Sequence, residues 1–193
     1  MPTPLHEKTV VILGGSSGIG LATAYAALSE GTHVTVTGRT SGKLKAATTK
    51  LGSAATTVQF DANDEPATEA FFASLNSLDH LFITVGSFVS DHQLQPESST
   101  LRPALDARFW GALFAAKYAT PKLSKGGSIT FMSGSAARRP IAGASITSAS
   151  CAAVDTLARS LALDLAPLRV NSVQPGYVDT PLFDDLLGEQ REE

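Results

Sequence analysis

Leu13-Gly14-Gly15-Ser16-Ser17-Gly18-Ile19-Gly20 decides how this chain is read. The segment follows an apolar run, Val10-Val11-Ile12-Leu13, and opens a helical pattern that continues through Leu21, Ala24 and Leu28. A strand, a glycine-rich turn and a helix in that order make a dinucleotide-binding device. The glycines allow a tight turn and a close backbone approach to a pyrophosphate. The helix N-terminus presents free N–H groups at the positive end of its dipole.

Outward from this turn, apolar runs alternate with helical patterns. Strands are expected at Thr9 to Leu13, His33 to Thr37, Thr57 to Phe60, Leu78 to Val85, Ser128 to Met132 and Arg169 to Val173. They read as continuous Val/Ile/Phe/Leu runs, the signature of strands covered on both faces. Helices are expected at Ile19 to Ser29, Ser41 to Leu51, Pro66 to Leu75, Ser99 to Leu123 and Ser148 to Ala166. Such alternation implies right-handed crossovers and an α/β fold. The expected fold is a Rossmann-type doubly wound parallel sheet, three layers α/β/α, with strand order 3-2-1-4-5-6. No repeat, low-complexity tract or linker divides the chain, so residues 1–193 read as a single domain. After Pro175-Gly176 only a short acidic segment, Leu182 to Glu193, remains, with no seventh strand. The strand around Val170 would then form an open edge that a partner chain or the tail would cover.

Composition narrows the function classes. A hydrophobic fraction of 43% and a charged fraction of 17% belong to a globular protein. The net charge of -3 offers no electrostatic case for nucleic acid or an anionic membrane surface. The single cysteine, Cys151, cannot form an intrachain disulfide, which fits a reducing compartment. The first residues, Met1 to Lys8, lack the basic and apolar regions of a signal peptide. No uninterrupted apolar run reaches the ~18 residues that a membrane span needs. The expectation is a cytoplasmic protein with a small-molecule substrate and no metal.

Taken together, these elements resemble the short-chain dehydrogenase/reductase family over nearly all of the chain. The family's Thr-Gly-x-x-x-Gly-x-Gly stands here with Leu13 in place of the threonine. The resemblance implies that Gly14, Ser16, Ser17, Gly18, Ile19 and Gly20 hold the cofactor. The second strand ends Val36-Thr37-Gly38-Arg39, where dinucleotide sites read the adenosine ribose. An acidic residue there would bind the 2′-hydroxyl; Arg39 would instead pair with a 2′-phosphate, which favours NADP(H) over NAD(H). The bland alternative is an ordinary surface arginine. Asp61 matches the family's aspartate toward the adenine amino group, and its alternative is a turn or cap before Pro66. Ile83-Thr84-Val85-Gly86 replaces the family's Asn-Asn-Ala-Gly, keeping only Gly86. Asn171 to Thr180 is similar to the family's Asn-x-x-x-Pro-Gly-x-x-x-Thr. By that likeness Pro175, Gly176, Val178 and Thr180 hold the nicotinamide carboxamide and the pyrophosphate.

The family's chemistry uses a tyrosine proton donor, a lysine four residues on, a serine and a helix asparagine. Aligned on Ser148 to Asp155, Thr147 takes the tyrosine position and Cys151 the lysine position. Gly134 takes the serine position, flanked by Ser133 and Ser135, and Arg108 takes the asparagine position. An aliphatic hydroxyl is far less acidic than a phenol, whose reference pKa is ~10. The usual mechanism therefore does not transfer. The remaining candidates for chemistry are Arg108, Ser133, Ser135, Thr147 and His92, the last in a loop beside Asp91. Arg108 would stabilise an oxyanion or sit in a salt bridge, and His92 would donate a proton or be a solvated loop histidine. Arg138 and Arg139 would hold an acidic substrate or be solvated. Cys151 reads as small-residue helix packing more readily than as a nucleophile.

The expected function is a divergent NADP(H)-dependent oxidoreductase acting on an intrinsically electrophilic molecule: an iminium, activated enone or ketone. Two alternatives stay open, a non-redox isomerase or cyclase of a natural-product pathway and a catalytically inactive NADP(H)-binding pseudoenzyme. By resemblance, the helices at 99–123 and 148–166, with Trp110, Phe114, Leu157 and Leu161, pair copies into a homodimer or homotetramer.

Overall fold

In a computed structural model that describes residues 4–89 and 97–182, the apolar runs lie side by side as one six-stranded parallel sheet. The strands are β1 (Thr9–Leu13), β2 (His33–Gly38), β3 (Ala55–Gln59), β4 (Leu78–Ile83), β5 (Leu123–Met132) and β6 (Arg169–Val173). Their spatial order is β3-β2-β1-β4-β5-β6, the expected doubly wound arrangement. The helices are α1 (Gly18–Ser29), α2 (Ser41–Leu51), α3 (Glu65–Ser74), α4 (Ser98–Ala119) and α5 (Ser145–Asp164).

Both faces of β1 are buried, which explains its unbroken apolar sequence. Val10 and Ile12 join Val34, Val36, Ala24 and Leu44 in a core beneath α1 and α2. Val11 and Leu13 join Phe72, Leu81, Ile83 and Val154 beneath α3, α4 and α5. These are the two interfaces of an α/β/α sandwich. The register pairs Leu13 of β1 with Thr37 of β2 and Ile83 of β4, so all three strands end together.

Several boundaries differ from expectation, among them the ends of β3 and β4, and three of them have a clear local reason. The fourth helix ends at Ala119 and gives way to a 3₁₀ turn, Thr120–Lys122, because Pro121 cannot continue an α-helix. The strand expected from Ser128 begins at Leu123, since an irregularity between the Leu78 and His80 pairings absorbs the Gly126-Gly127 insertion. The last helix starts at Ser145 and so includes Thr147 in its first turn. Edge position corrects a further expectation. In β6 the alternate residues Arg169, Asn171 and Val173 are exposed, as the open edge implied but double-sided burial did not.

One buried carboxylate fastens that edge. Asp155 of α5 accepts a hydrogen bond from Ser172 Oγ of β6 at 2.8 Å and another from Gln174 Nε2. It thereby sets the chain direction entering Pro175 to Thr180. At the opposite end of the sheet, Asp79 receives Lys8 Nζ, Thr9 N–H and Ser124 Oγ, joining β1, β4 and the start of β5.

Candidate functional site

Beyond β1 the connections diverge, one running toward β2 and the other reaching β4 from β3. In an open sheet the crevice at the carboxyl ends of such a strand pair is where ligands bind. Here it is a cleft of ≈ 290 Å³ lined by Gly14, Ser16 to Gly20, and residues from the ends of β2, β3 and β4. Gly14 adopts φ +83, and a Cβ on it would lie 2.5 Å from Thr84 Oγ1. Thr84 itself donates its hydroxyl to the Leu13 carbonyl at 2.8 Å. A Cβ on Gly20 would lie 2.6 Å from the Gly14 carbonyl oxygen. At Gly14 and Gly20 the turn therefore has no room for a side chain. No acidic residue sits in the first turn of α1, and Ser17 makes no side-chain cap. Its first N–H groups remain available to an anion. This cradle fits the pyrophosphate of a dinucleotide.

The cleft's outer wall carries its charge. Arg39, Thr40 and Lys43 follow β2, and all line the cleft. Asp61 follows β3 and is the only carboxylate among the described lining residues. Its Oδ1 accepts from the Asn63 N–H at 3.0 Å, so it holds a turn. The cap of α3 is a different residue, Asp64, whose Oδ1 accepts from Ala67 N–H at 3.0 Å. A carboxylate has further lone pairs, so the turn leaves Asp61 able to accept from a ligand.

Inward, the cleft opens into a second, smaller pocket of ≈ 160 Å³. Ile19, Thr84, Gly86 and Thr180 border both spaces. The inner pocket gathers Arg108, Ser133, Ser135 and Thr147 with Pro175, Gly176 and Val178. Every expected cofactor residue, and every described residue among the five candidates for chemistry, thus borders one space or the other. His92 and Asp91 lie outside the described residues. Arg138 and Arg139 are exposed and line neither space.

The inner hydroxyls are engaged by the backbone. Thr147 Oγ1 accepts from Val89 N–H at 3.3 Å and lies 3.4 Å from the Val89 carbonyl. Ser133 Oγ donates to the Cys151 carbonyl at 2.9 Å. Ser135 is exposed, and its N–H donates to the Pro175 carbonyl at 2.9 Å. Cys151 lies one helical turn after Thr147, and a Cβ on Gly134 would come within 3.1 Å of its Sγ. Burial pushes the Cys151 thiol up and Asp155 adds to this, while Arg108 pulls the other way without prevailing. It is a neutral thiol packed against glycine.

Arg108 projects from α4 over Gly86, almost fully buried, and donates from Nη2 to the Ser87 carbonyl at 3.1 Å. Several wall residues were not singled out from sequence: Lys43, Ser87, Phe88, Ile141 and Tyr177. Lys43 had a signal, since it lies four residues after Arg39 at the start of a helix. Phe88, Ile141 and Tyr177 had none, because loop conformation alone brings them together. Among the helix residues expected at an interface, Leu157 and Leu161 pack on the intrachain core. Trp110 is 45% exposed, meeting Phe109 edge to face and Phe114 with tilted rings.

Comparison with known proteins agrees with this geometry. The family model described as short chain dehydrogenase matches residues 8–191. A short-chain dehydrogenase/reductase of an Acremonium species is 34% identical, the match covering 96% of this chain and 78% of that protein. An NADP-dependent (R)-specific alcohol dehydrogenase of Lentilactobacillus kefiri is 34% identical, with 97% and 80% covered. Among solved structures, a small-chain dehydrogenase in complex with NADPH superposes with a TM-score of 0.81 at 32% identity, covering 96% of this chain and 78% of that one. A short-chain dehydrogenase/reductase from Brucella melitensis gives 0.91 at 26% identity, covering 98% and 80%.

Proposed function

The chain belongs to the short-chain dehydrogenase family, and from that premise we propose that it is an NADP(H)-dependent oxidoreductase. Its substrate is an intrinsically electrophilic small molecule such as an iminium ion, an activated enone or a ketone. The observation that carries the cofactor assignment is the charge at the end of β2. Arg39 and Lys43 line the cleft there, and the single carboxylate among its described residues, Asp61, follows β3 instead. Two cations suit a 2′-phosphate, whereas a ribose 2′-hydroxyl would want an acceptor. The NADP-dependent relative and the NADPH-bound neighbour support the same choice.

Gly14 to Gly20 and the N-terminus of α1 would hold the pyrophosphate, Asp61 the adenine, and Gly86, Pro175, Gly176, Val178 and Thr180 the nicotinamide half. When bound, the nicotinamide exchanges a hydride with the substrate. The chain's own part is to orient, to exclude water and to stabilise charge. Phe88, Met132, Ile141 and Cys151 keep the inner pocket apolar. Thr147 and Ser133 have their hydroxyls tied to backbone groups, and an aliphatic hydroxyl is a poor acid in any case. A substrate that needs little protonation suits these walls. Arg108 supplies positive charge, and a guanidinium stabilises an oxyanion without giving up a proton. Two copies would pair through α4 and α5, where Trp110 and Leu163 (82% exposed) stand out from the fold.

The test is a pair of binding titrations followed by turnover. Wild-type protein should bind NADPH more tightly than NADH. Arg39→Ala should weaken NADPH about tenfold, the low end for a charge-assisted bond at an exposed site, and leave NADH unchanged. NADPH oxidation should then appear against a panel of iminium, enone and ketone substrates. Equal affinity for both cofactors would overturn the NADP(H) assignment, and absence of oxidation across the panel would overturn the redox reading.

A further inference from the structure

Arg108 carries a charge for which the described residues provide no counterion. The residue is only 7% exposed. Nη2 donates to the Ser87 carbonyl at 3.1 Å, while Nε is buried with no hydrogen-bond partner. The guanidinium rests on Gly86, where a Cβ would come within 2.8 Å of Cζ, so the bare backbone is what gives it room. Ion pairs between described residues include Lys8 with Asp79 and Lys117 with Glu65, and neither involves a residue of the inner pocket. Among the described residues, no aspartate or glutamate lines that pocket. The neighbouring Cys151 thiol is held neutral by burial and offers no negative charge either.

Buried cations are ordinarily paired, because desolvating a charge without compensation is costly. We infer that the missing partner arrives with the substrate, and that the inner pocket selects small, largely apolar carboxylates, with Arg108 as the specificity-determining residue. The cofactor's phosphates are not the partner. Their cradle is the glycine turn and the start of α1, and Arg108 does not line that cleft. A planar guanidinium with an unused Nε–H matches a planar carboxylate. The remaining walls, Phe88, Met132, Ile141 and Val178, receive the apolar remainder of such an acid. This rests on the oxidoreductase reading and names the substrate class of the same site.

The experiment is calorimetric titration of the full chain, with and without NADP⁺, using benzoate and its neutral isostere benzamide. Wild-type protein should bind benzoate at least tenfold more tightly than benzamide. That preference should collapse in Arg108→Met and survive in part in Arg108→Lys. Benzoate alone should also raise the wild-type melting temperature, a readout that requires no variant to fold. Equal binding of the two probes, binding of neither, or a preference that persists in Arg108→Met would overturn the inference. The cofactor reading fails separately, if NADP⁺ does not bind wild-type protein. The cofactor-free titrations would still decide the role of Arg108.

Discussion

Gly20→Ala puts the central geometric claim at risk. A methyl at this position would lie 2.6 Å from the Gly14 carbonyl oxygen, 2.9 Å from Gly15 Cα and 2.9 Å from Thr84 Oγ1. Relaxed contacts between such atoms need ~3.5 Å, so the start of α1 must withdraw from the turn by about 1 Å. Two of the three obstacles are backbone, and the third is fixed by its bond to the Leu13 carbonyl at 2.8 Å. Rotamer change therefore gives no relief. Overpacking of this kind costs about 3 kcal/mol. Against that, alanine is the better helix former by ~1 kcal/mol. The net loss of about 2 kcal/mol lowers the melting temperature by roughly 4–8 °C in a chain of this size. Displacing the α1 amides also loses charge-assisted bonds of ~1.5 kcal/mol or more to a phosphate, so NADPH should bind at least tenfold more weakly. Gly42→Ala is the matched control, because nothing lies within 4 Å of a Cβ there. It should raise stability by about 0.5 kcal/mol, for want of any clash. The assays are a thermal melt and an NADPH fluorescence titration. If Gly20→Ala melts at or above wild type and binds NADPH equally well, the close packing of turn and helix described above is wrong.

Acid should destabilise the fold in two steps. Burial holds His80 below its ordinary value, so the unfolded chain takes up that proton first and stability falls as pH drops below about 6.5. Asp79 lies below its usual range because bonds from Ser124, Thr9 and Lys8 outweigh its burial; its contribution is intact above about pH 3.9 and is lost as pH falls further. Melts between pH 7.5 and 5.5 should show the first step, and His80→Gln should flatten it. Cys151, 2% exposed with its thiol pushed up by burial, should react with a disulfide reagent only at the rate at which the chain opens, and fast native labelling would contradict its packing role. Asp155→Ala removes the acceptor for Ser172 and Gln174. It should cost about 2–3 kcal/mol, seen as a fall of roughly 4–12 °C in the melting temperature.

What could be read from sequence was what is encoded locally. The first strand, the glycine turn and α1 lie within a few dozen residues, and each dictates its own conformation. The bounds of β1, β6 and α2 coincide with expectation for that reason. The start of β5 did not, because Gly126-Gly127 resembles a loop and becomes a bulge only when β4 lies alongside. The cap of α3 was legible in principle, since Asp64 stands two residues before Pro66, whereas the sequence expectation held a cap only as the alternative role of Asp61. The partners of Thr147 and Ser133 were not legible. Val89 is 58 residues from Thr147, and the Cys151 carbonyl is 18 residues from Ser133. Sequence names a hydroxyl; only the fold reveals that it is already engaged.

That distinction orders the inner pocket. Its polar groups divide into those the protein satisfies and those it leaves open. Thr147 and Ser133 are held by main-chain partners, and Cys151 is a neutral thiol facing glycine. Arg108 is open, with a buried Nε and, among the described residues, no carboxylate lining the space around it. A guanidinium stays protonated through any working pH, so it orients and stabilises negative charge but cannot relay a proton. On the proposed reading, the walls favour substrates whose reacting centre is already electrophilic and whose charge is already present. The first property lowers the demand for a proton donor, and the second supplies the counterion that Arg108 lacks. The electrophile and the carboxylate are thus two demands of one pocket, in which the fixed cation does the work of recognition.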